Sequence, residues 1–124
     1  MILYAAADLI WSTKIKEMAN SVGVEARPAR TVEMLEARLA DSPVKALLVD
    51  LEKGEEGLAL IRRLRGEGAQ GSERGIRILA WGPHVAKELL QKARDLGADE
   101  VLTRGAFDHG MGEILVRLEG RMQM

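Results

Sequence analysis

The sequence predicts an α/β fold in which five parallel strands alternate with five helices. Short apolar runs recur along the chain, and the clearest covers residues 46–49, between Pro43 and Asp50. Between these runs, apolar residues recur every three or four positions, which is the spacing of a helix with one face on a core. Strict alternation of the two patterns favours parallel strands joined by right-handed crossovers, because helices then cover both faces of the sheet.

Length and composition limit the class of protein. The chain has 124 residues with 47% hydrophobic and 30% charged content, which predicts one globular domain over residues 1–124. A net charge of -1 gives no electrostatic reason to expect nucleic acid or a membrane surface as partner. The absence of cysteine excludes disulfides, cysteine-bound zinc and a thiol nucleophile. With neither a membrane-spanning stretch nor a secretory signal, we expect a cytoplasmic protein; the excess of arginine over lysine is typical of a thermophile.

In the first half of the chain, we expect strands at residues 2–6, 24–26 and 46–50. Asp8 and Thr31 are expected to cap the first two helices, and Gly23 to end the first. The second strand is predicted to lie at the edge of the sheet, because Pro28 closes it. The helical residues expected to face the core are Trp11, Ile15, Met18, Val22, Val32, Leu35 and Leu39.

In the second half, we expect a polar loop over residues 51–57 and strands at 76–81 and 101–103. The glycine-rich segment 66–75 has no large apolar residue and is predicted to be a mobile surface connection. Gly97 is expected to end the fourth helix. The residues expected to face the core are Leu58, Ile61 and Leu64 in helix three, Val85, Leu89, Ala93 and Leu96 in helix four, and Met111, Ile114 or Leu115, Leu118 and Met122 in helix five.

Five strands in a chain of this length suit the flavodoxin-like order 2-1-3-4-5, a three-layer (βα)5 sandwich. In this order, strands one and three are neighbours, and ligand sites lie at the carboxyl ends of the strands. Residues that follow those ends should therefore converge on one crevice. The predicted crevice residues are Asp8, Asp50, Glu52, Trp81, His84 and Arg104.

The order and spacing of these segments resemble the receiver domains of two-component response regulators over essentially the whole chain. Residues 46–51 are similar to the third-strand segment whose aspartate accepts a phosphoryl group, so the resemblance implies Asp50 as candidate phosphoacceptor. Residues 96–104 resemble the family's Gly-Ala segment that leads into strand five, and Phe107 stands where the family often has an aromatic residue. The resemblance implies a stand-alone signalling protein with no output domain.

The chain departs from the family at the positions that would hold magnesium. Receivers usually end strand one with an acidic pair, whereas this chain has Ala6 and Ala7 there, followed by Asp8. Mg²⁺ requires several oxygen ligands, so Asp8, Asp50 and the backbone carbonyl of Glu52 would form only a weak site.

Two further departures affect the groups that contact the phosphoryl group in the family. The strand-four hydroxyl residue becomes Ala80 or Trp81, and the Lys-Pro pair after strand five becomes Arg104-Gly105. Arginine is not a like-for-like replacement for lysine. These departures favour a degenerate pseudo-receiver in which Asp50 pairs with Arg104 or caps a neighbouring loop.

The aromatic and histidine residues near the crevice each allow two interpretations. Trp81 is expected to plug the crevice, with stacking on a partner as the alternative. Trp11 keeps helical spacing with Ile15 and is expected in the core. His84 is expected to be a hydrogen-bonding surface residue and not a ligand. The acidic residues near the end of strand three, which are expected to form a solvated rim, are Glu52, Glu55 and Glu56.

We therefore expect a protein-interaction module that works without aspartyl phosphorylation, with another protein or a second copy of itself, as a homodimer, as partner. The resemblance implies an interaction face on helix four, strand five and helix five, with the residues Lys87, Gln91, Arg104 and Phe107. The alternative is a single-domain response regulator phosphorylated on Asp50 with the help of Mg²⁺. A third possibility is a small-ligand binder at the crevice. No constellation of side chains indicates an enzyme or a resident cofactor.

Overall fold

The computed structural model describes residues 1–120 as a five-stranded parallel sheet in the order β2-β1-β3-β4-β5, which confirms the predicted fold. No helix within these residues is long and apolar enough to cross a membrane. Short 3₁₀ turns cover Leu51–Lys53 and Ser72–Gly75. The strands are β1 (Ile2–Ala5), β2 (Ala26–Pro28), β3 (Ala46–Asp50), β4 (Arg77–Gly82) and β5 (Glu100–Thr103), and the helices are α1 (Leu9–Val22), α2 (Val32–Asp41), α3 (Glu55–Arg65), α4 (Lys87–Leu96) and α5 (Arg104–Glu119).

The two faces of the sheet carry chemically different cores, because successive strand residues point to opposite faces. The face covered by α1 and α5 holds the aromatic cluster, which includes Tyr4, Leu48, Trp81, Phe107 and Leu115. The face covered by α2, α3 and α4 holds the aliphatic cluster, whose buried residues include Leu3, Leu47, Val49, Leu35, Ile61, Leu64 and Leu90. The buried aromatic rings therefore lie on the α1–α5 side of the sheet.

The predicted helix ends are confirmed where a cap was identified. The side chains of Asp8 and Thr31 accept hydrogen bonds from the backbone N–H groups of Trp11 and Met34, at the starts of α1 and α2. Gly23 and Gly97 end α1 and α4 with positive φ angles, a conformation that glycine adopts readily.

Other boundaries differ from the prediction. β2 begins at Ala26 and includes Pro28; as the edge strand it pairs only with β1, so the missing proline N–H is tolerated. α3 begins at Glu55, inside the expected polar loop. The inward orientation predicted for Val85 is wrong: it precedes α4, is 74% exposed, and Leu90 is buried in α4 instead.

The glycine-rich segment is attached to the C-terminal part of α3 by arginine hydrogen bonds. The Arg74 guanidinium donates to the backbone carbonyls of Arg65 and Gly66, at 3.0 and 2.8 Å. Glu73 accepts a hydrogen bond of 2.7 Å from Arg63. Met122, which was predicted to face the core from helix five, lies outside the described residues.

Candidate functional site at the carboxyl edge of the sheet

Asp50 ends β3 and is fully buried, and each of its carboxylate oxygens holds a backbone donor. Oδ2 accepts a hydrogen bond of 2.9 Å from the N–H of Ala7, in the turn that follows β1. Oδ1 accepts one of 3.0 Å from the N–H of Glu52, in the turn that follows β3 itself. Asp50 therefore joins two neighbouring strand ends, as the loop-capping alternative predicted.

The predicted ion pair between Asp50 and Arg104 is wrong. The guanidinium of Arg104 donates to Oε1 of Glu52, at 2.9 Å, on the exposed rim of the sheet. Among residues 1–120, Asp50 forms no salt bridge with a lysine or arginine. Glu52 is accessible to the long arginine side chain, whereas the Asp50 carboxylate is enclosed.

Burial of the Asp50 carboxylate determines its electrostatics. Desolvation raises the pKa of Asp50 above the ordinary aspartate value, because the charged form loses its hydration. The hydrogen bonds from Ala7 and Glu52 lower the pKa, and the negative charges of Glu52 and Asp8 raise it again. The net shift is upward, which is the opposite of what a neighbouring cation would produce.

Asp8, the other predicted magnesium ligand, is used locally. Its Oδ1 accepts a hydrogen bond of 2.9 Å from the N–H of Trp11, as the N-cap of α1. The described part of the chain contains no group of three histidine, aspartate or glutamate side chains that could hold a metal ion. Mg²⁺ needs near-octahedral oxygen coordination, and the carboxylates of Asp8 and Asp50 both already accept backbone hydrogen bonds. The carboxylates of Asp8 and Asp50 therefore do not fit the ligand set of a resident magnesium ion.

Trp81 is the cross-strand neighbour of Asp50 in the β3–β4 register, so both side chains leave the same face of the sheet. Trp81 is fully buried and stacks on Phe107, with ring centroids 4.3 Å apart and planes at 20°. The indole Nε1–H has no hydrogen-bond partner among residues 1–120. Because Trp81 is fully buried, it cannot stack directly on a partner. Its ring lies in the core on the same side of the sheet as the side chain of Asp50.

Trp11 connects this buried pair to the surface. Its ring centroid lies 5.6 Å from that of Trp81 and 5.8 Å from that of Phe107. The ammonium of Lys14 lies 5.1 Å from the Trp11 ring centroid and pairs with Asp108 at 3.1 Å. Trp11 is half-buried and packs against the aromatic cluster, as its helical spacing predicted.

Phe107 corrects the predicted interaction face. Its side chain is fully buried in the aromatic cluster, so it is not an exposed contact residue. Lys87, Gln91 and Arg104 are exposed, and the Gln91 amide donates to Asp95 at 2.9 Å on α4 itself. His84 is also exposed, in the turn between β4 and α4. The exposed part of the predicted face therefore consists of α4 and the first residue of α5.

The predicted acidic rim is exposed but electrically balanced. Besides the Glu52–Arg104 pair, Glu56 pairs with Lys53 at 2.6 Å and Glu55 pairs with Arg62 at 3.0 Å. Each of the three glutamates thus has a cation, and the rim offers little free negative charge to a basic partner.

The backbone donors of Ala7 and Glu52 were missed by reasoning from side chains. In sequence, Ala7 indicates the loss of a metal ligand, yet its backbone N–H donates to Oδ2 of Asp50. Gly57 is a further unrecognised residue: a Cβ there would come within 3.2 Å of the Asp50 carbonyl oxygen and 3.1 Å of the Val49 side chain. The only sequence signal for this close approach of α3 to β3 is a glycine in the first turn of α3, four residues after Lys53.

Comparison with known proteins identifies the fold. The receiver domain of a signal transduction histidine kinase from Syntrophus aciditrophicus aligns with a TM-score of 0.78 and 20% identity, covering 98% of this chain and 93% of that chain. The receiver domain of NtrX from Brucella abortus aligns at 0.77 and 15% identity, covering 98% and 100%. A response regulator from Thermotoga maritima aligns at 0.74 and 19% identity, covering 95% of each chain.

No protein-family model matches the sequence, and no curated protein matches it either. At identities of 15–20%, the structural likeness is a statement about architecture. It agrees with the strand order of the sheet. The chain therefore has the fold of a response-regulator receiver domain, as the sequence resemblance predicted.

Proposed function

We propose that this chain is a signalling or regulatory module that binds another protein and does so without phosphorylation of Asp50. The observation that carries the proposal is the state of the Asp50 carboxylate: it is fully buried, has no cation beside it among residues 1–120, and holds a backbone N–H on each oxygen. Its role is to fasten two strand ends together.

Phosphoryl transfer to a carboxylate has requirements that this arrangement meets poorly. An oxygen must be free to attack, and positive charge must stabilise the phosphoryl oxygens in the transition state. Each Asp50 oxygen accepts a backbone hydrogen bond and is buried, so a phosphodonor reaches its remaining lone pair only if the turns that hold Ala7 and Glu52 move. Arg104, the candidate cation that follows β5, is engaged by Glu52.

The proposed binding face consists of α4 and the start of α5, where Lys87, Gln91 and Arg104 are exposed. The partner is another protein or a second copy of this chain, and the protein acts in the cytoplasm as a binding module and not as an enzyme. Asp50 supports this face indirectly. It holds the turn that carries Glu52, and the side chain of Glu52 pairs with Arg104.

One observation favours the alternative, a response regulator phosphorylated on Asp50. The aspartate still stands at the carboxyl end of β3, and Arg104 is held by one exposed ion pair with Glu52. Exposed pairs of this kind contribute little free energy, about 0–1 kcal/mol, so Arg104 could be released at low cost.

The experiment that separates the two functions is an amide NMR titration with magnesium, followed by magnesium with beryllofluoride, which mimics an aspartyl phosphate. The proposal predicts no shifts around Asp50, Trp81 or Thr103. Shifts centred on Asp50 that spread into β4 and β5, and that disappear in Asp50→Asn, would show a working phosphoacceptor and overturn the proposal.

A further inference from the structure

We propose that the first half of α5, residues 104–112, is a lid over the aromatic cluster that unwinds as a unit while the rest of the domain stays folded. The lid carries Phe107, whose ring covers Trp81. The inference does not depend on the proposed function. It assigns a closed state and an open state to the carboxyl edge of the sheet.

The lid is richer in glycine than any other described helix. It contains Gly105, Gly110 and Gly112, whereas the other four described helices contain one glycine between them, Gly57. A glycine inside a helix shifts the equilibrium toward the unwound chain about fivefold relative to alanine, because glycine loses more backbone freedom on folding. The lid is therefore expected to unwind more readily than the other helices.

Packing explains only one of the three glycines of the lid. A Cβ on Gly112 would lie 3.3 Å from Sδ of Met18, so the close approach of α1 and α5 favours glycine there. A Cβ on Gly110 would make ordinary contact with the Ile114 side chain, at 3.6 Å. Among the described residues, a Cβ on Gly105 would meet no atom within 4 Å apart from its own helix backbone and chain neighbours. Gly105 and Gly110 therefore weaken the helix without improving its contacts.

The core anchors the two halves of α5 unequally. Within residues 104–112, Phe107 and Met111 are the only buried side chains, and five of the nine residues are exposed apart from these two. The second half, residues 113–119, is anchored by three buried residues in a shorter span, Ile114, Leu115 and Leu118. The boundary between the halves coincides with Gly110 and Gly112, so these glycines are placed to act as a hinge.

The polar contacts of the lid are also weak. Arg104 pairs with Glu52 at 2.9 Å, and Asp108 pairs with Lys14 at 3.1 Å. All four side chains are about half exposed, and exposed pairs of this kind contribute little to stability. The closed state of the lid therefore depends mainly on the packing of Phe107 and Met111.

Unwinding of the lid changes the carboxyl edge in two ways. It releases Arg104 from Glu52, and it removes the Phe107 ring from Trp81, whose indole N–H has no hydrogen-bond partner among residues 1–120. The closed lid thus hides an aromatic surface with a free N–H donor, and the open lid exposes it.

The test is amide hydrogen exchange of the full chain in urea, at concentrations below the unfolding transition. Amides of residues 107–112 are expected to exchange faster than the buried amides of β3 and β4, and with little dependence on urea, because opening of the lid exposes little surface. The amides of β3 and β4 should exchange through global unfolding and accelerate steeply with urea. The same rate and the same urea dependence for both groups would overturn the proposal.

Ile78→Val separates opening of the lid from global unfolding. Ile78 is buried in the aliphatic cluster, on the other face of the sheet, and stays packed when the lid opens. Loss of its methyl group is expected to accelerate exchange in β3 and β4 about fivefold and to leave residues 107–112 unchanged. Equal acceleration of both groups would contradict an independent lid.

The double substitution Gly105→Ala and Gly110→Ala tests the role of the glycines. It is expected to slow exchange of residues 107–112 about fivefold or more, because alanine favours the helix and both sites have room for a methyl group. Gly68→Ala is the matched control: it makes the same change at an exposed glycine outside any helix, and should leave the lid unchanged. No slowing in the double variant would remove the basis of the proposal.

Thiol labelling detects the open state directly, because the chain has no cysteine of its own. Met111→Cys places a thiol in the lid, and Leu115→Cys places one in the next turn of the same helix; both positions are buried in the closed state. A neutral thiol reagent is expected to label Met111→Cys about tenfold faster or more. Equal labelling rates would show that α5 opens as one helix or not at all, and would overturn the lid.

Discussion

Two aspartates at opposite edges of the sheet perform the same local task in different surroundings. Asp50, at the carboxyl edge, is fully buried, and within residues 1–120 its side chain accepts hydrogen bonds only from the N–H groups of Ala7 and Glu52. Asp99, at the amino edge, accepts the N–H of Ile78 at 2.7 Å and the guanidinium of Arg65 at 2.8 Å, with 39% of its side chain exposed. Each carboxylate joins neighbouring strands. Of the two, Asp99 alone is exposed to solvent and paired with a cation, and both stabilise its charge.

The comparison teaches that the position of Asp50 does not determine its role. The carboxyl edge of a parallel sheet is where sites are usually built, yet Asp50 makes the same kind of contact there as a structural aspartate at the opposite edge. The difference lies in charge compensation, which Asp99 has and Asp50 lacks. Substitutions that alter this difference test the account directly.

The largest effect is expected from Trp81→Ala, which removes the ring that shares a sheet face with Asp50. Loss of a fully buried tryptophan should lower the free energy of unfolding by about 3–5 kcal/mol in urea titrations. Water entering the space should also bring the pKa of Asp50 back toward its ordinary value. Trp11→Ala is the control, because Trp11 is half-buried and its removal should cost less. An equal cost for both would contradict the central position of Trp81.

Asp50→Ala is expected to lower the free energy of unfolding by roughly 2–3 kcal/mol, because two backbone N–H groups lose an acceptor that is fully buried. The corresponding Asp99→Ala should cost about 1–2 kcal/mol, since 39% of the Asp99 side chain is exposed and water can take the place of the lost carboxylate. Chemical denaturation of the two variants under identical conditions gives the ranking. A larger loss for Asp99→Ala would mean that the ion pair, and not burial, decides the cost.

Asp50→Asn is expected to change the free energy of unfolding by less than about 1 kcal/mol. The amide oxygen keeps one of the two backbone donors, and the second hydrogen bond is lost, but no charge has to be buried. Binding of the partner at α4 should be nearly unchanged, and the amide NMR shifts of residues 87–96 should agree between the two chains. A large loss of binding with an intact fold would count against a phosphate-independent module.

The smallest expected effect is a pH-dependent difference between the natural chain and Asp50→Asn. The raised pKa of Asp50 means that the folded state holds a proton more readily than the unfolded state does. The stability that this proton contributes is fully present below the unfolded pKa and is lost as pH rises through the folded pKa. The unfolding free energy of the natural chain, minus that of the variant, should therefore fall from acidic to neutral pH. A rise over the same range would indicate a lowered pKa and a cation near Asp50.

The fold could be predicted because its signals are local. Apolar runs and helical spacing fix strands and helices, and Asp8, Thr31, Gly23 and Gly97 mark helix ends through their own chemistry. Helical spacing also indicates that Phe107 is buried, because Phe107 stands four residues before Met111, which is buried. We placed it on the surface by following the family resemblance, and the helical period was the better guide.

The arrangement of the site could not be predicted in the same way. Arg104 pairs with the exposed Glu52, while backbone donors enclose the carboxylate of Asp50. A backbone N–H group such as that of Ala7 is present whatever the side chain, so the sequence does not indicate that it donates a hydrogen bond to Asp50. Sequence alone named Asp50, Glu52 and Arg104 at this edge but did not give the pairing of Glu52 with Arg104.

The most direct test of the central claim is the pKa of the Asp50 carboxyl group, measured by carbon-13 NMR with and without magnesium. If Asp50 is a buried structural aspartate, its pKa lies above the ordinary aspartate value and does not change when magnesium is added. A pKa that falls sharply with magnesium would show that the carboxylate binds the metal, and would contradict the account.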